Sequence, residues 1–225
     1  KFYQQNFNWV ICVGVPFNPL LMQSTGNIIK EFHVLNKKIL WVNPMIKVNK
    51  KYSSSSDSKK NNSILLKKIF RKIRLYIKPY KKVENGFIIL SPLTIPISRK
   101  KSFEKVNRLL LKTQIQLVLR LLKIKKPLLY SSGYIEAVLM QDIIKYKYWF
   151  HEFPDLDSDN RNITEAQKTK INRVEENIIN SADIVLASSK RIYEKVLNKV
   201  NEDKKKENIL YLPHGVDFAH FSSQE

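Results

Sequence analysis

The sequence is short of cysteine and glycine, and each shortage excludes a class of protein. One cysteine, Cys12, among 225 residues rules out an internal disulfide, and its apolar neighbours indicate a buried thiol in a reducing compartment. Histidines and cysteines nowhere have zinc spacing, so we predict no metal site and no cofactor. The five glycines form neither a G-x-G-x-x-G fingerprint nor a P-loop. The apolar runs are too short to span a bilayer.

Acidic residues are also scarce, and positive charge is in large excess. Forty Lys and Arg stand against twenty Asp and Glu, which gives a formal net charge of +20. A basic surface of this size attracts the phosphate of nucleic acid, anionic lipid or a phosphorylated substrate. The joint enrichment in Lys, Asn and Ile is an equal alternative explanation, in which the charge reflects composition alone.

Short apolar segments alternate with helical patterns along the chain. Seven segments have the pattern of buried strands, at 9–14, 38–43, 86–90, 127–131, 147–151, 183–187 and 209–212. Helical spacing predicts helices at 27–35, 102–123, 162–181 and 189–200. Continuous apolar strands between helices predict an α/β fold, with a Rossmann-like, mostly parallel sheet and helices on both faces.

A basic insert at about 45–85 interrupts this alternation. Ser53–Ser58 is a flexible loop by composition, and residues 59–82 contain ten Lys or Arg and no Asp or Glu. Apolar residues recur there at helical spacing until Pro79, which predicts a basic amphipathic helix. Such a helix suits contact with an anionic membrane surface, or it buries one face against the sheet as an ordinary surface helix. The predicted membrane contacts are Lys67, Lys68, Phe70, Arg71 and Arg74.

Small and polar residues follow the first and fourth predicted strands, at the edge where α/β sheets bind ligands. Backbone N–H groups beside Thr25 could face an anion at a helix start, or the hydroxyl could simply cap the helix. The hydroxyls after the fourth strand could approach a sugar or phosphate, or belong to an ordinary turn. The candidate ligand contacts in these segments are Gly14, Pro16, Thr25, Ser131, Ser132, Gly133 and Tyr134.

The densest polar cluster follows the fifth predicted strand, where His151 and Glu152 precede Asp155. Histidine is the usual general base near neutral pH, and a neighbouring carboxylate can orient it and raise its basicity. A purely structural histidine is the alternative. No G-x-S-x-G elbow supports a hydrolase, and with no nucleic-acid-binding motif such binding would rest on charge alone.

The last predicted strand leads into the segment Pro213–Asp217, with Phe221 four residues further on. Pro213 blocks further strand pairing, and Gly215 permits a tight turn. The segment resembles the "strand-Pro-Asn-Gly-Val-Asp-x-x-x-Phe" pattern of GT-B glycosyltransferases, with His214 in place of the usual Asn. In that family the pattern lies where the first Rossmann-like domain passes into the second.

Four further segments, in the same order, resemble the teichuronic-acid and surface-polysaccharide type within family four of these enzymes. His151 and Pro154 replace two acids of the family's fifth-strand motif, and Asp155 remains. The segments are Lys38–Pro44, Ser91–Pro96 with Val106–Leu110, Trp149–Asp155, and Glu175–Glu176 with Ala182–Ser189.

The resemblance implies that residues 1–225 are a single acceptor-binding domain and that the C-terminal donor-binding domain is absent, so that this chain alone is inactive. A hexosyltransferase of this type transfers a sugar from a nucleotide-sugar to a surface-glycan or lipid-linked acceptor, without an obligatory metal. The implied location is cytoplasmic, at the inner face of the cell membrane. The candidate catalytic residues are His151 and Asp155. By resemblance, their loop with Glu152 and the loop residues named above line the cleft, and His214, Gly215 and Asp217 border the hinge.

The main alternative to an enzyme is a non-catalytic basic α/β module. Such a module would bind phosphorylated glycan, anionic lipid or nucleic acid through the positive charge. Nucleic acid is the least favoured of these partners because charge alone supports it.

Overall fold

The computed structural model describes residues 7–18, 24–44, 80–93, 101–153, 164–200 and 206–213. Eight strands in these ranges form one sheet, in the order β3-β4-β2-β1-β5-β6-β7-β8. All neighbours are parallel except the edge pair of β3 and β4. The strands are β1 (Trp9–Val13), β2 (Lys38–Val42), β3 (Tyr80–Glu84), β4 (Phe87–Leu90), β5 (Leu128–Ser132), β6 (Tyr148–Phe153), β7 (Ile184–Ala187) and β8 (Ile209–Tyr211).

Five helices among the described residues cover the two faces of the sheet. They are α1 (Ser24–Val34), α2 (Lys101–Leu121), α3 (Tyr134–Ile143), α4 (Glu165–Ser181) and α5 (Lys190–Leu197). The strand order runs from β1 through β2 to β4 on one side, and from β5 through β6 and β7 to β8 on the other. Because parallel crossovers are right-handed, this reversal puts α1 on one face and α3, α4 and α5 on the opposite face.

The core consists of two apolar layers, one on each face of the sheet. In β1, Ile11 and Val13 join the layer of helices α2 to α5, whereas Val10 and Cys12 join the layer of α1. All four side chains are buried. Burial on both faces explains why the strands have continuous apolar sequences. Cys12 is a free thiol, and burial, followed by the charge of Glu152, raises its pKa well above the ordinary value.

The predicted fold class is confirmed, and each of the seven predicted strands is present with its ends within two residues of the prediction. Helix α1 begins three residues before the predicted start at Asn27. Ser189, the first residue of the last predicted helix, caps α5 instead, because its side chain accepts a hydrogen bond from the Ile192 N–H.

Two elements differ from the prediction. Strand β3 lies at the end of the predicted insert and was not predicted, whereas the predicted basic helix, which ends before Pro79, lies outside the described ranges. Every residue of β3 is exposed, so the strand has no apolar pattern by which to recognise it. Helix α3 begins at Tyr134, inside the predicted turn. No helix in the described part of the chain combines the length and apolarity needed to cross a bilayer.

Candidate functional site

The loops after β1 and β5 meet at the carboxyl edge of the sheet. Gly14 has φ of +105° and Gly133 has φ of +122°, a region that favours glycine. A Cβ on Gly14 would lie 1.5 Å from the Ser132 carbonyl oxygen, so no other residue fits there. A Cβ on Gly133 would lie 3.6 Å from the Gly14 Cα. The two backbones therefore approach closely at the point where the strand order reverses, which is where α/β sheets bind ligands. We call this place the crevice.

One wall of the crevice is the start of helix α3. Gly133 is the N-cap of α3, and no side chain caps it through a hydrogen bond. The carboxylate of Glu136, in the first turn, lies above this position: its Oε2 would be 3.2 Å from a Cβ on Gly133. A carboxylate accepts hydrogen bonds from hydroxyl groups and repels phosphate. This wall therefore suits sugar hydroxyls better than an anion.

On the α1 face, the carboxylate of Glu152 ties the helix to the sheet. Glu152 Oε2 accepts a hydrogen bond of 2.5 Å from Thr25 Oγ1 and one of 2.9 Å from the Tyr130 hydroxyl. All three residues are buried. Burial, followed by the charge and hydrogen bond of Glu152, raises the pKa of Tyr130, so the phenol remains a donor. Thr25 thus directs its hydroxyl proton to Glu152 and anchors the first turn of α1.

His151 lies on the opposite face, in the layer of α2 to α5. Its ring is fully buried, and Nδ1 lies 2.8 Å from Ser131 Oγ. Ser131 Oγ also accepts a hydrogen bond of 2.7 Å from Trp149 Nε1. His151 Nε2 has no hydrogen-bond partner among the described residues. Burial lowers the pKa of His151 to about 3, an effect that the charge of Glu175 partly opposes.

The expected rise in the basicity of His151 is therefore wrong. Successive residues of a strand point to opposite faces, so Glu152 cannot orient the His151 ring. Burial instead keeps the imidazole neutral, with a pKa poorly matched to general base catalysis near neutral pH. A catalytic role for His151 stays a prediction.

A charged cluster around Glu175 was missed by sequence reasoning. Glu175 is 2% exposed, and its Oε1 accepts a hydrogen bond of 2.7 Å from the Tyr134 hydroxyl and lies 3.2 Å from Lys195 Nζ. Lys199 Nζ binds Oε2. Burial raises the pKa of Glu175, but the hydrogen bonds from Lys199 and Tyr134 and the charge of Lys195 outweigh it, so the pKa is lowered. In the predicted helix at 189–200 the two lysines, four residues apart, share one face, and this spacing was the available signal. In the structure Lys199 follows the end of α5.

The structure describes only some of the other predicted site residues. Ser131 and Ser132 are buried in β5, and Pro16 is exposed in the loop after β1. The Tyr134 hydroxyl donates its hydrogen bond to Glu175. Asp155, the hinge residues His214, Gly215 and Asp217, and the membrane contacts Lys67, Lys68, Phe70, Arg71 and Arg74 lie outside the described residues. In the ranges that the structure describes, no three His, Cys, Asp or Glu side chains are grouped to hold a metal ion.

An apolar groove of about 530 Å³ lies on the α1 face of the sheet. It extends from helix α1 across β5, β6 and β7 to β8. The lining residues are Phe7, Ile28, Phe32, Leu35, Lys37, Leu128, Tyr130, Phe150, Ile184, Leu186, Leu210, Tyr211 and Leu212.

No protein-family model and no curated protein matches the chain. Among solved structures, it is similar to a chain of sucrose-phosphate synthase from Thermosynechococcus elongatus, with TM-score 0.53, 10% identity, and coverage of 96% of this chain and 94% of that one. A longer chain of the same enzyme has TM-score 0.57, 11% identity, and coverage of 94% and 49%. A UDP-glucose: anthocyanidin 3-O-glucosyltransferase in complex with UDP has TM-score 0.49, 12% identity, and coverage of 92% and 53%.

These similarities concern the fold, and they rest on the two sucrose-phosphate synthase chains. The chain shares the α/β fold of these two sucrose-phosphate synthase chains. It spans about half the length of the longer synthase chain and of the glucosyltransferase.

Proposed function

We propose that this chain is the acceptor-side domain of a glycosyltransferase that transfers a hexosyl group from a nucleotide-sugar to a surface-glycan or lipid-linked acceptor. The observation that carries the proposal is the crevice between Gly14 and Gly133, at the reversal of strand order in a fold of glycosyltransferase type. Both glycines are partly exposed, so backbone atoms of the two closely packed loops are within reach of a sugar ring at this edge.

The chemistry of the crevice favours an acceptor over a donor diphosphate. The carboxylate of Glu136 beside Gly133 would accept hydrogen bonds from sugar hydroxyls and would repel a diphosphate. In this proposal the nucleotide-sugar binds a second, donor-binding domain that these residues do not include. Sugar transfer then takes place between the two domains, at the cytoplasmic side of the cell membrane, with the basic insert as one contact to the bilayer.

The side chains behind the crevice have positioning roles in this proposal. His151 holds Ser131 in β5, directly before Ser132 and Gly133, and Glu152 holds the start of α1 through Thr25. Asp155 and the segment His214–Asp217 would border the cleft on the side of the donor domain. No step requires a metal ion or a cofactor.

Titration followed by NMR tests the acceptor assignment. Uniformly ¹⁵N-labelled chain is titrated with neutral saccharides such as glucose and N-acetylglucosamine, and separately with UDP-glucose. The saccharides should shift the amide signals of Gly14, Gly133 and Glu136, while UDP-glucose leaves them in place. Shifts caused by UDP-glucose alone would show that the crevice holds the donor.

Two glycine variants make the test specific. Gly133→Ala adds a methyl group inside the crevice, next to Glu136, and should abolish the saccharide shifts. Gly86→Ala is the matched control, because Gly86 also has positive φ, +83°, but lies in the turn before β4 at the opposite edge of the sheet. It should bind like the unmodified chain. Equal loss of binding in both variants would reflect backbone strain rather than a ligand site.

A further inference from the structure

The amino edge of the sheet, opposite the crevice, carries a row of lysines. Seven lysines lie within three residues of the start of a parallel strand, and all but Lys37 are exposed. Backbone hydrogen bonds join these strand starts, from Lys38 N to Asn8 O at 2.9 Å and from Lys147 N to Pro127 O at 2.8 Å. The seven are Lys37 and Lys38 at β2, Lys125 and Lys126 before β5, Lys145 and Lys147 before β6, and Lys206 before β8.

Acidic residues at this edge do not balance the lysines. Only three acidic residues in the described ranges lie within three residues of the start of a parallel strand: Glu84, Asp183 and Glu207. Glu84 lies 3.3 Å from His33 Nε2, and Asp183 Oδ2 accepts a hydrogen bond of 2.7 Å from the backbone N–H of Trp149. The edge therefore has a net positive charge.

Aromatic rings lie beneath three of the lysines. The Nζ of Lys38 is 5.7 Å from the ring centre of Trp9, and the Nζ of Lys147 is 5.5 Å from that of Tyr148. Lys37 Nζ lies 4.8 Å from the ring of Phe7. Trp and Tyr beside lysine are typical of the headgroup level of a bilayer. The ammonium groups over these rings leave less aromatic face for the base stacking that single-stranded nucleic acid requires.

Exposed apolar side chains lie at the same edge. Val34, the last residue of α1, is 70% exposed, and Leu35, which follows it, is 51% exposed. Leu35 and Lys37 also line the apolar groove, so the apolar surface continues from the edge onto the sheet. Apolar side chains next to lysines match a bilayer surface, where the former enter between headgroups and the latter face phosphates.

We propose that the amino edge of the sheet binds the surface of an anionic lipid bilayer. The six exposed lysines contact lipid phosphates, and Val34 and Leu35 insert at headgroup depth. This surface is separate from the basic insert and does not depend on the proposed transferase function. With the amino edge on the bilayer, the crevice lies at the far end of strands about five residues long, so only the glycan part of a lipid-linked acceptor would reach it.

Vesicle flotation tests the charge requirement. The complete chain is mixed with vesicles of phosphatidylcholine alone, or of phosphatidylcholine and phosphatidylglycerol in equal parts. It should float with the anionic vesicles only, and less so as salt is added. The triple variant Lys125→Glu, Lys126→Glu, Lys147→Glu should reduce partitioning roughly 100-fold, since each lysine near an anionic surface contributes about 1 kcal/mol.

A matched triple variant controls for net charge. Lys112→Glu, Lys170→Glu, Lys190→Glu reverses the same number of exposed lysines on α2, α4 and the start of α5. Partitioning should fall far less than in the edge variant, and circular dichroism should show both variants folded. An equal fall in the two variants, or binding to RNA or DNA in place of vesicles, overturns the proposal.

Tryptophan quenching locates the contact. Of the three tryptophans, Trp41 and Trp149 are buried, and Trp9 alone is partly exposed, at the amino edge. Anionic vesicles with brominated lipid should quench the fluorescence of the bound chain, and Trp9→Phe should remove that quenching while flotation persists. The double variant Val34→Ser, Leu35→Ser should weaken the quenching. Binding without quenching of Trp9 would assign the membrane contact to another part of the chain, such as the basic insert, and would refute the edge surface.

Discussion

His151→Gln should remove much of the acid sensitivity of this fold. His151 has a pKa of about 3 in the folded protein, against an ordinary value of 6.5 when the chain unfolds. Between these values the unfolded chain binds a proton that the folded chain does not, so stability falls as the pH falls below 6.5. At about 1.36 kcal/mol for each pKa unit, the loss is about 2 kcal/mol at pH 5 and about 5 kcal/mol near pH 3.

The window between pH 7 and pH 5 isolates this histidine from Glu175. The pKa of Glu175 is lowered in the folded protein, so its contribution is lost only below its ordinary value of 4.5. Urea unfolding followed by circular dichroism at pH 7 and pH 5 gives the free energy at each pH. The wild type should lose about 2 kcal/mol more than His151→Gln over this interval.

A second buried substitution separates the pH effect from simple destabilisation. His151→Gln should itself cost about 1–3 kcal/mol at pH 7, because the ring packs against Phe153 with centres 4.8 Å apart. Ile178→Val, in the same apolar layer, should cost about 0.5–1.5 kcal/mol and keep the pH dependence of the wild type. An identical loss between pH 7 and pH 5 in wild type and His151→Gln would refute the argument from burial.

Three further substitutions test the packing around the crevice. Gly14→Ala should lower the free energy of urea unfolding by at least about 3 kcal/mol, since its Cβ would overlap the Ser132 carbonyl; a smaller loss would show that the two loops separate easily. Thr25→Val should cost about 1–3 kcal/mol in the same assay, because buried Glu152 loses a donor, and Thr25→Ser should restore it. Glu175→Gln should cost about 1.5–3 kcal/mol at pH 7. This difference from wild type should shrink in thermal scans below pH 4.5, because the unfolded wild-type chain then binds a proton at Glu175 that the folded chain, with its lowered pKa, does not; a constant difference would contradict the ionic account.

The parallel strands could be predicted because each is apolar on both faces. Residues such as Ile39–Val42 are all buried, so the sequence pattern and the structure carry the same information. Strand β3 could not be found this way, because every residue in Tyr80–Glu84 is exposed and the strand is held by backbone pairing with β4. Gly133 and the two serines before it are typical of a turn, so the sequence did not indicate that helix α3 begins at the next residue.

The candidate site shows a different limit of sequence reasoning. His151 and Glu152 were interpreted as one functional pair because they are adjacent, yet alternation along β6 sends them to opposite faces. Their true partners, Ser131 and Thr25, are 20 and 127 residues away in sequence. The partners of Glu175, Tyr134 among them, are likewise brought together only by the packing of α3, α4 and α5. Side-chain partners of this kind depend on topology and cannot be derived from spacing.

The burial of Cys12 makes the thiol a reporter of motion inside the sheet. The thiol lies within β1, and its raised pKa keeps it in the unreactive protonated form while the fold is intact. A thiol reagent therefore modifies it only when the centre of the sheet opens, and the rate of modification measures how often that occurs. Cys12 of β1 is paired with Trp41 of β2 and with Tyr130 of β5. The rate therefore reports opening at the place where the two halves of the sheet join. A ligand that bridges the loops after β1 and β5 would then be detected as a slower reaction at Cys12.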